Sequence, residues 1–144
     1  MIAVLIIGLQ FFRGKAPEVI PNPPDDLMAT SQINAEVGML LKTACYDCHS
    51  NETRYPWYSF VSPFSWYFYK HIEEGRAELN FSDWSSLPLR TQLRKLRDIG
   101  KAVEKGTMPL ESYTIIHRDA QLTPEQIKRI KAWTEELSDT LMEE

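Results

Sequence analysis

The chain has two cysteines, and both lie in one string, Cys45-Tyr46-Asp47-Cys48-His49. Two thiols with two residues between them can meet the same edge of a porphyrin and add to its two vinyl groups, which sets the next imidazole over the iron. Cys-x-x-Cys-His is therefore the attachment signature of a c-type haem. On this reading Cys45 and Cys48 are cofactor-binding residues and His49 is an iron ligand. Plainer readings compete. A redox-active cysteine pair is expected near a β-α-β pattern, and none is visible. Zinc needs four ligands, and Cys45 and Cys48 with two of His49, His71 and His117 fall at intervals unlike those of zinc fingers. One pair of neighbouring cysteines is also a poor staple for a chain of 144 residues.

An iron with one histidine takes a second axial ligand or keeps an open side. Met108, in Gly106-Thr107-Met108-Pro109, follows a helix end, and Pro109 limits the freedom of the segment that presents the sulfur. A thioether opposite an imidazole is an electron-transfer arrangement that raises the reduction potential. His71, His117 and a vacant position are the alternatives, and a gap-filling core residue is the ordinary reading of Met108. Arg76, Trp66 and Trp84 carry N–H donors able to reach haem propionates, with a surface ion pair as the competing use of Arg76.

Helices must position these residues. Ile33, Val37, Leu40, Leu41 and Ala44 recur on one helix face that runs into the cysteine string, with Thr30 or Ser31 as the expected N-cap. Leu89, Leu93, Leu96, Gly100 and Val103 repeat that spacing, and Gly106 stands where this second helix stops. Thr123-Pro124-Glu125-Gln126 combines an N-cap, a proline at the first helical position and a capping-box glutamine, ahead of Ile127, Ile130, Trp133, Leu137 and Leu141. Residues 56–84 are rich in aromatics, which suits the wall around a large flat cofactor as well as an ordinary core, and a helix is predicted over 63–75. With no alternating strand pattern and no repeat, the fold class is all-α.

A content of 43% apolar and 25% charged residues is enough for a folded core, and a net charge of -4 argues against a nucleic-acid partner. Arg90, Arg94, Arg97, Lys101 and Lys105 form a stripe with Lys95 nearby, able to steer an acidic redox partner, although a solvated helix face is the commoner use of such a stripe. Neither paired carboxylates nor a nucleophile triad at a glycine-rich elbow is present, so no enzyme activity is expected.

Residues 1–12 are apolar except Gly8 and Gln10, and Arg13 and Lys15 follow. As a helix this run covers about 18 Å, short of the roughly 30 Å of a bilayer core. The expectation is the end of a longer export signal or membrane anchor, with a greasy helix docked on the domain as the alternative. Residues 13–27 hold Pro17, Pro21, Pro23 and Pro24 and read as an extended linker rather than a packed element, which leaves 28–144 for the domain.

Several strings occur in order along the chain: Cys45-Tyr46-Asp47-Cys48-His49-Ser50-Asn51, Pro56-Trp57-Tyr58, His71-Ile72-Glu73-Glu74-Gly75-Arg76, Leu79-Asn80-Phe81-Ser82-Asp83-Trp84, Met108-Pro109-Leu110 with Ser112-Tyr113, then His117, Ala120 and Trp133. In this the sequence resembles the haem-binding domain of exported proteins in Bacteroidetes-type bacteria. The resemblance implies a small cytochrome c-like helical domain around a covalent haem c, outside the cytoplasm. The function expected from it is monohaem electron transfer to a redox partner protein, from a periplasmic or exported position that inner-membrane anchoring through the N-terminus would fit. A haem-based sensor or ligand-binding module with an open distal side is the rival, and a structural zinc module is a second one.

Overall fold

The capping box at Thr123 forms as its residue types require. Thr123 N–H donates to Gln126 Oε1 at 2.8 Å, and Gln126 N–H donates to Thr123 Oγ1 at 3.3 Å. This cap starts the longest helix of a computed structural model that describes residues 2–31 and 33–143. In chain order the helices are α1 (Ile2–Leu9), α2 (Leu27–Thr30), α3 (Ala35–Ala44), α4 (Tyr46–His49), α5 (Phe64–Glu78), α6 (Leu89–Glu104), α7 (Glu111–Thr114) and α8 (Pro124–Glu143). Tight 3-10 turns occupy Gln10–Phe12, Trp57–Phe60, Phe81–Ser86 and Arg118–Ala120. Among the described residues there is no strand, and the fold is all-α.

The main core is built where α3, α6 and α8 meet. Val37 and Leu41 of α3, Leu96, Ile99 and Val103 of α6, and Ile130, Trp133 and Leu137 of α8 bury against one another, with Leu27, Tyr46, Phe81 and Trp84 closing one end. A Cβ on Gly100 would stand 3.1 Å from Thr134 Oγ1, so the missing side chain sets how closely α6 and α8 approach. Gly106 ends α6 at φ 66°, a left-handed turn that glycine adopts without strain. A smaller core gathers Phe68, Tyr69 and Ile72 of α5 with Tyr55, Tyr58, Tyr113 and Cys48.

Four expectations need correction. Asn34, not Thr30 or Ser31, caps α3, accepting from Val37 N–H at 2.8 Å, because the short helix α2 takes up the residues before it. The predicted helix over 63–75 runs on to Glu78. On α6 the apolar stripe slips at its first turn: Leu89 is exposed and Gln92 is buried instead, its amide donating to the Trp84 and Leu87 carbonyls. The segment 13–27 is extended but packed. Tyr55 Oη donates to the Pro17 carbonyl at 2.6 Å, Ile20 N–H donates to the Asn51 carbonyl at 2.8 Å, and Pro23 and Asp26 are buried. Prolines without N–H groups suit a strap held through its carbonyls by partners elsewhere in the chain.

Candidate functional site

The string from Cys45 to His49 breaks α3 and re-forms as the single turn of α4. Its two middle residues face inward. Tyr46 stacks on Phe81, with ring centroids 5.1 Å apart, and its hydroxyl donates to Asp26 Oδ1 at 2.8 Å. Asp26 also caps α2 through Met28 N–H and accepts from Ser82 Oγ. Asp47, equally buried, accepts from Arg54 N–H and Nε–H at 3.1 and 3.2 Å and from the Tyr113 hydroxyl at 2.7 Å. Burial, followed by the neighbouring carboxylates, pushes the Tyr46 and Tyr113 phenols far above their ordinary range. With these side chains fastened on one side of the turn, Cys45, Cys48 and His49 are left to line a groove on the other.

His49 is the most constrained member. Its Nδ1 lies 2.9 Å from the Gly75 carbonyl and 3.0 Å from the Leu79 carbonyl. Carbonyls only accept, so Nδ1 carries the proton and donates, and Nε2 is the basic nitrogen. Desolvation by burial, opposed by the two carbonyls, lowers the imidazole pKa and favours the neutral ring. A fixed tautomer with one lone pair available is what a metal-binding histidine needs. Gly75 makes the contact feasible, because a Cβ there would fall 2.6 Å from the Cys48 carbonyl oxygen. Both cysteines are free thiols, pushed up by burial to about 12 at Cys45 and about 11 at Cys48.

The groove consists of three adjoining cavities. The largest, about 480 Å³, lies beside Cys48 and is walled by Tyr58, Phe64, Tyr67, Phe68 and Ile116. A second, about 280 Å³, shares Cys48, His71, Leu110 and Tyr113 with the first and adds His49 and Met108. The third, about 150 Å³, shares His49, Glu78 and Met108 with the second and ends at Cys45, Phe81, Ile99 and Val103. Thus the structure brings Cys45, Cys48, His49 and Met108 to one apolar trough, with Met108 beside His49 in two of its three parts.

The other candidates separate. His71 lines the first two cavities, with Nδ1 held 2.8 Å from the Tyr67 carbonyl. His117 is engaged elsewhere: Nε2 meets the Tyr58 hydroxyl, and the ring stacks on Tyr113 at a centroid distance of 4.2 Å. Arg76 points away from the trough and clamps the chain after the motif, donating to the Ser50 carbonyl, the Glu18 carbonyl and Thr53 Oγ1. Trp66 donates its Nε1–H to the Phe12 carbonyl at 2.8 Å, on the side of α5 that receives the N-terminal segment. These donors meet backbone and side-chain oxygens outside the trough. Trp84 is buried in the main core. Sequence reasoning missed Asp26, Asp47, Gly75 and Tyr113. Only Gly75 had a local signal, a glycine inside a helical pattern that marks a close approach.

Two thiols beside one imidazole, a thioether lining the same space and flat apolar walls fit a haem and suit a bare ion poorly. Among the described residues no group of three or more His, Cys, Asp and Glu side chains is arranged to hold a metal ion. Comparison with proteins of curated function and with solved structures finds no match. A family model described as a haem-binding domain matches residues 4–136, from α1 into α8, and the chain belongs to that haem-binding family.

Proposed function

We propose that the groove holds its haem through thioether bonds to Cys45 and Cys48, with His49 Nε2 and Met108 Sδ as axial ligands, and that the domain transfers electrons. The observation that carries this reading is the fixed tautomer of His49 in a trough that Met108 shares. Cys45 and Cys48 would hold the haem as thioethers, each reached by exchanging an S–H bond and a vinyl π bond for a C–S and a C–H bond, which requires no oxidant. Bound there, haem supplies a reversible one-electron iron couple. The chain's own part is to hold and shield. The Gly75 and Leu79 carbonyls orient the imidazole, while Phe81, Ile99, Val103 and Leu110 exclude water from either side of it. This reading needs no substrate and no catalytic residue.

The partner follows from charge. Arg90, Arg94, Arg97, Lys101 and Lys105 are exposed along α6, and α6 also lines the cavity next to Cys45 and Met108. An acidic redox protein docking there would approach the iron by a short route. Covalent haem and an apolar N-terminal helix favour an exported, membrane-associated position. No helix among the described residues is long and apolar enough to cross a membrane, so α1 as described would reach into one leaflet.

A second reading places His71 on the iron, supported by its position in the cavity that also holds His49 and Met108. The test is expression with haem maturation machinery, followed by a denatured mass and a pyridine haemochrome spectrum. Haem retained by the unfolded chain and lost in Cys45→Ser with Cys48→Ser supports the thioethers. Loss of the far-red thioether-to-iron band in Met108→Ala, with His71→Ala unchanged, supports His/Met ligation. Absence of that band from the wild-type chain, with a haem spectrum altered in His71→Ala and unchanged in Met108→Ala, selects His71, and carbon monoxide binding to the reduced wild-type chain favours the open-sided sensor.

A further inference from the structure

The geometry points to a membrane-facing side of the domain: the exposed aromatic residues around Ser62 rest on an anionic lipid surface beside α1. This rests on the membrane-associated reading above and adds an orientation to it. The starting point is α1 itself, Ile-Ala-Val-Leu-Ile-Ile-Gly-Leu, which has no polar side chain and leaves Val4 73% and Ile7 62% exposed. A helix that is apolar all round belongs inside a core or a bilayer, and here the domain does not cover it.

α1 is not free to swing. Gln10, just past its end, donates Nε2–H to the Ser62 carbonyl and accepts at Oε1 from Ser62 N–H, both at 3.1 Å. Two residues on, the Phe12 carbonyl accepts from Trp66 Nε1–H at 2.8 Å, and Gly14 lies against the rings of Trp66 and Tyr69. The helix therefore leaves the domain at one defined place. Around that place Trp57, Phe60, Phe64, Trp66 and Tyr67 are all exposed, and all lie within five positions of Ser62. Scattered exposed apolar side chains are ordinary, but five exposed aromatics within eleven positions, beside an uncovered apolar helix, mark an interaction surface.

The chemistry of the patch selects lipid over protein as its occupant. Trp and Tyr rings settle at the depth of lipid headgroups, and wherever α1 enters the bilayer, this face is brought against those headgroups. Arg13 and Lys15, exposed at the exit of α1, add attraction for anionic lipid. In this orientation Pro63, Phe64 and Tyr67, which line the 480 Å³ cavity, place one wall of the groove toward the lipid.

The test uses the full-length holoprotein in vesicles of phosphatidylcholine and phosphatidylglycerol, the latter carrying a photoactivatable diazirine at the top of its acyl chain. Cleavage after Arg54 and Lys70 releases all five aromatics in one peptide, 55–70, whereas 132–144 reports the end of α8 with its exposed Met142. The expected result is several-fold more lipid adduct in 55–70 than in 132–144, falling to the α8 level in Trp57→Ser with Phe60→Ser, neither of which lines the groove. Retention of the protein on vesicles with adducts confined to residues 1–13 would overturn the orientation and leave the membrane reading standing. Release of the protein by alkaline carbonate would remove both.

Discussion

The His49 side of the groove and the Met108 side are held in different ways. On the first, α4 is held by groups from two distant stretches, Asp26 on Tyr46 from one and, from the end of α5 and the residue after it, the Gly75 and Leu79 carbonyls on His49 and Arg76 across Ser50 and Thr53. On the second, the segment from Gly106 to His117 has exposed residues at Gly106, Thr107, Met108, Glu111, Ser112, Ile115 and Ile116. Its side-chain ties back to the body include the Tyr113–Asp47 hydrogen bond, the contact of His117 with Tyr58, the contact of Ser112 with Tyr67 and the hydrogen bond from Thr107 Oγ1 to the Ala102 carbonyl. The difference teaches that His49 is positioned by the fold, whereas the Met108 segment is positioned by a few side-chain contacts. The electron transfer proposed above would favour the first arrangement, since an imidazole that cannot turn would keep the reorganisation around an iron small.

Gly75→Ala should break the comparison most severely. Its Cβ would meet a backbone oxygen, which cannot yield without moving α5 off α4, and the expected cost is about 3 kcal/mol or outright failure to fold. Gly100→Ala is the matched control, because its Cβ meets a side-chain hydroxyl that can rotate, and denaturant titration should place it near 1 kcal/mol. Similar losses for both would mean that α4 and α5 are not tightly apposed. Asp26→Ala comes next, at about 2 to 3 kcal/mol, since it uncaps α2 and leaves the buried Tyr46 hydroxyl and Ser82 Oγ short of an acceptor.

These ranks explain what could be read from the chain alone. The cysteine string, the Thr123–Gln126 cap and the Gly106 stop are local: their residues lie within a few positions of one another, so types and spacing were enough. Asp26 and Tyr46 are twenty residues apart, Arg76 and Glu18 fifty-eight, and Asp47 and Tyr113 sixty-six. Nothing in the local pattern around Asp26 or Asp47 says that the carboxylate is buried, and an aspartate next to a run of prolines looks like a linker. Arg76 and Trp66 were assigned to propionates from donor chemistry alone. Their bonds to carbonyls of the N-terminal strap and of the loop after the motif join positions 26 to 58 residues apart, which no local pattern reveals.

On the distal side the expected effects shrink. Tyr113→Phe removes one hydrogen bond to a buried carboxylate that keeps Arg54 as a partner, so the loss in stability should be about 1 kcal/mol. Hydrogen exchange should rise over residues 106–117 and stay unchanged over α4. The same phenol gives a pH signature. Its pKa is raised in the folded chain, so its contribution is complete below the ordinary phenol value of about 10 and declines as pH rises beyond it. Alkaline unfolding should therefore be shallower in Tyr113→Phe than in the wild type, and an identical slope would remove Tyr113 as its source.

The smallest expected effect is that of Tyr58→Phe. The hydroxyl meets His117 Nε2 in a half-buried setting where water can replace it, and the ring remains to pack against Phe68, so about 0.5 kcal/mol is the expected loss. The change tests whether the distal segment has one fastening or two. If Tyr58→Phe and Tyr113→Phe add within error, the two hydrogen bonds act independently and the segment can peel from either end. A double variant that loses more than the sum would show that the Tyr113–His117 stack couples them, so that either bond alone keeps Met108 beside the groove.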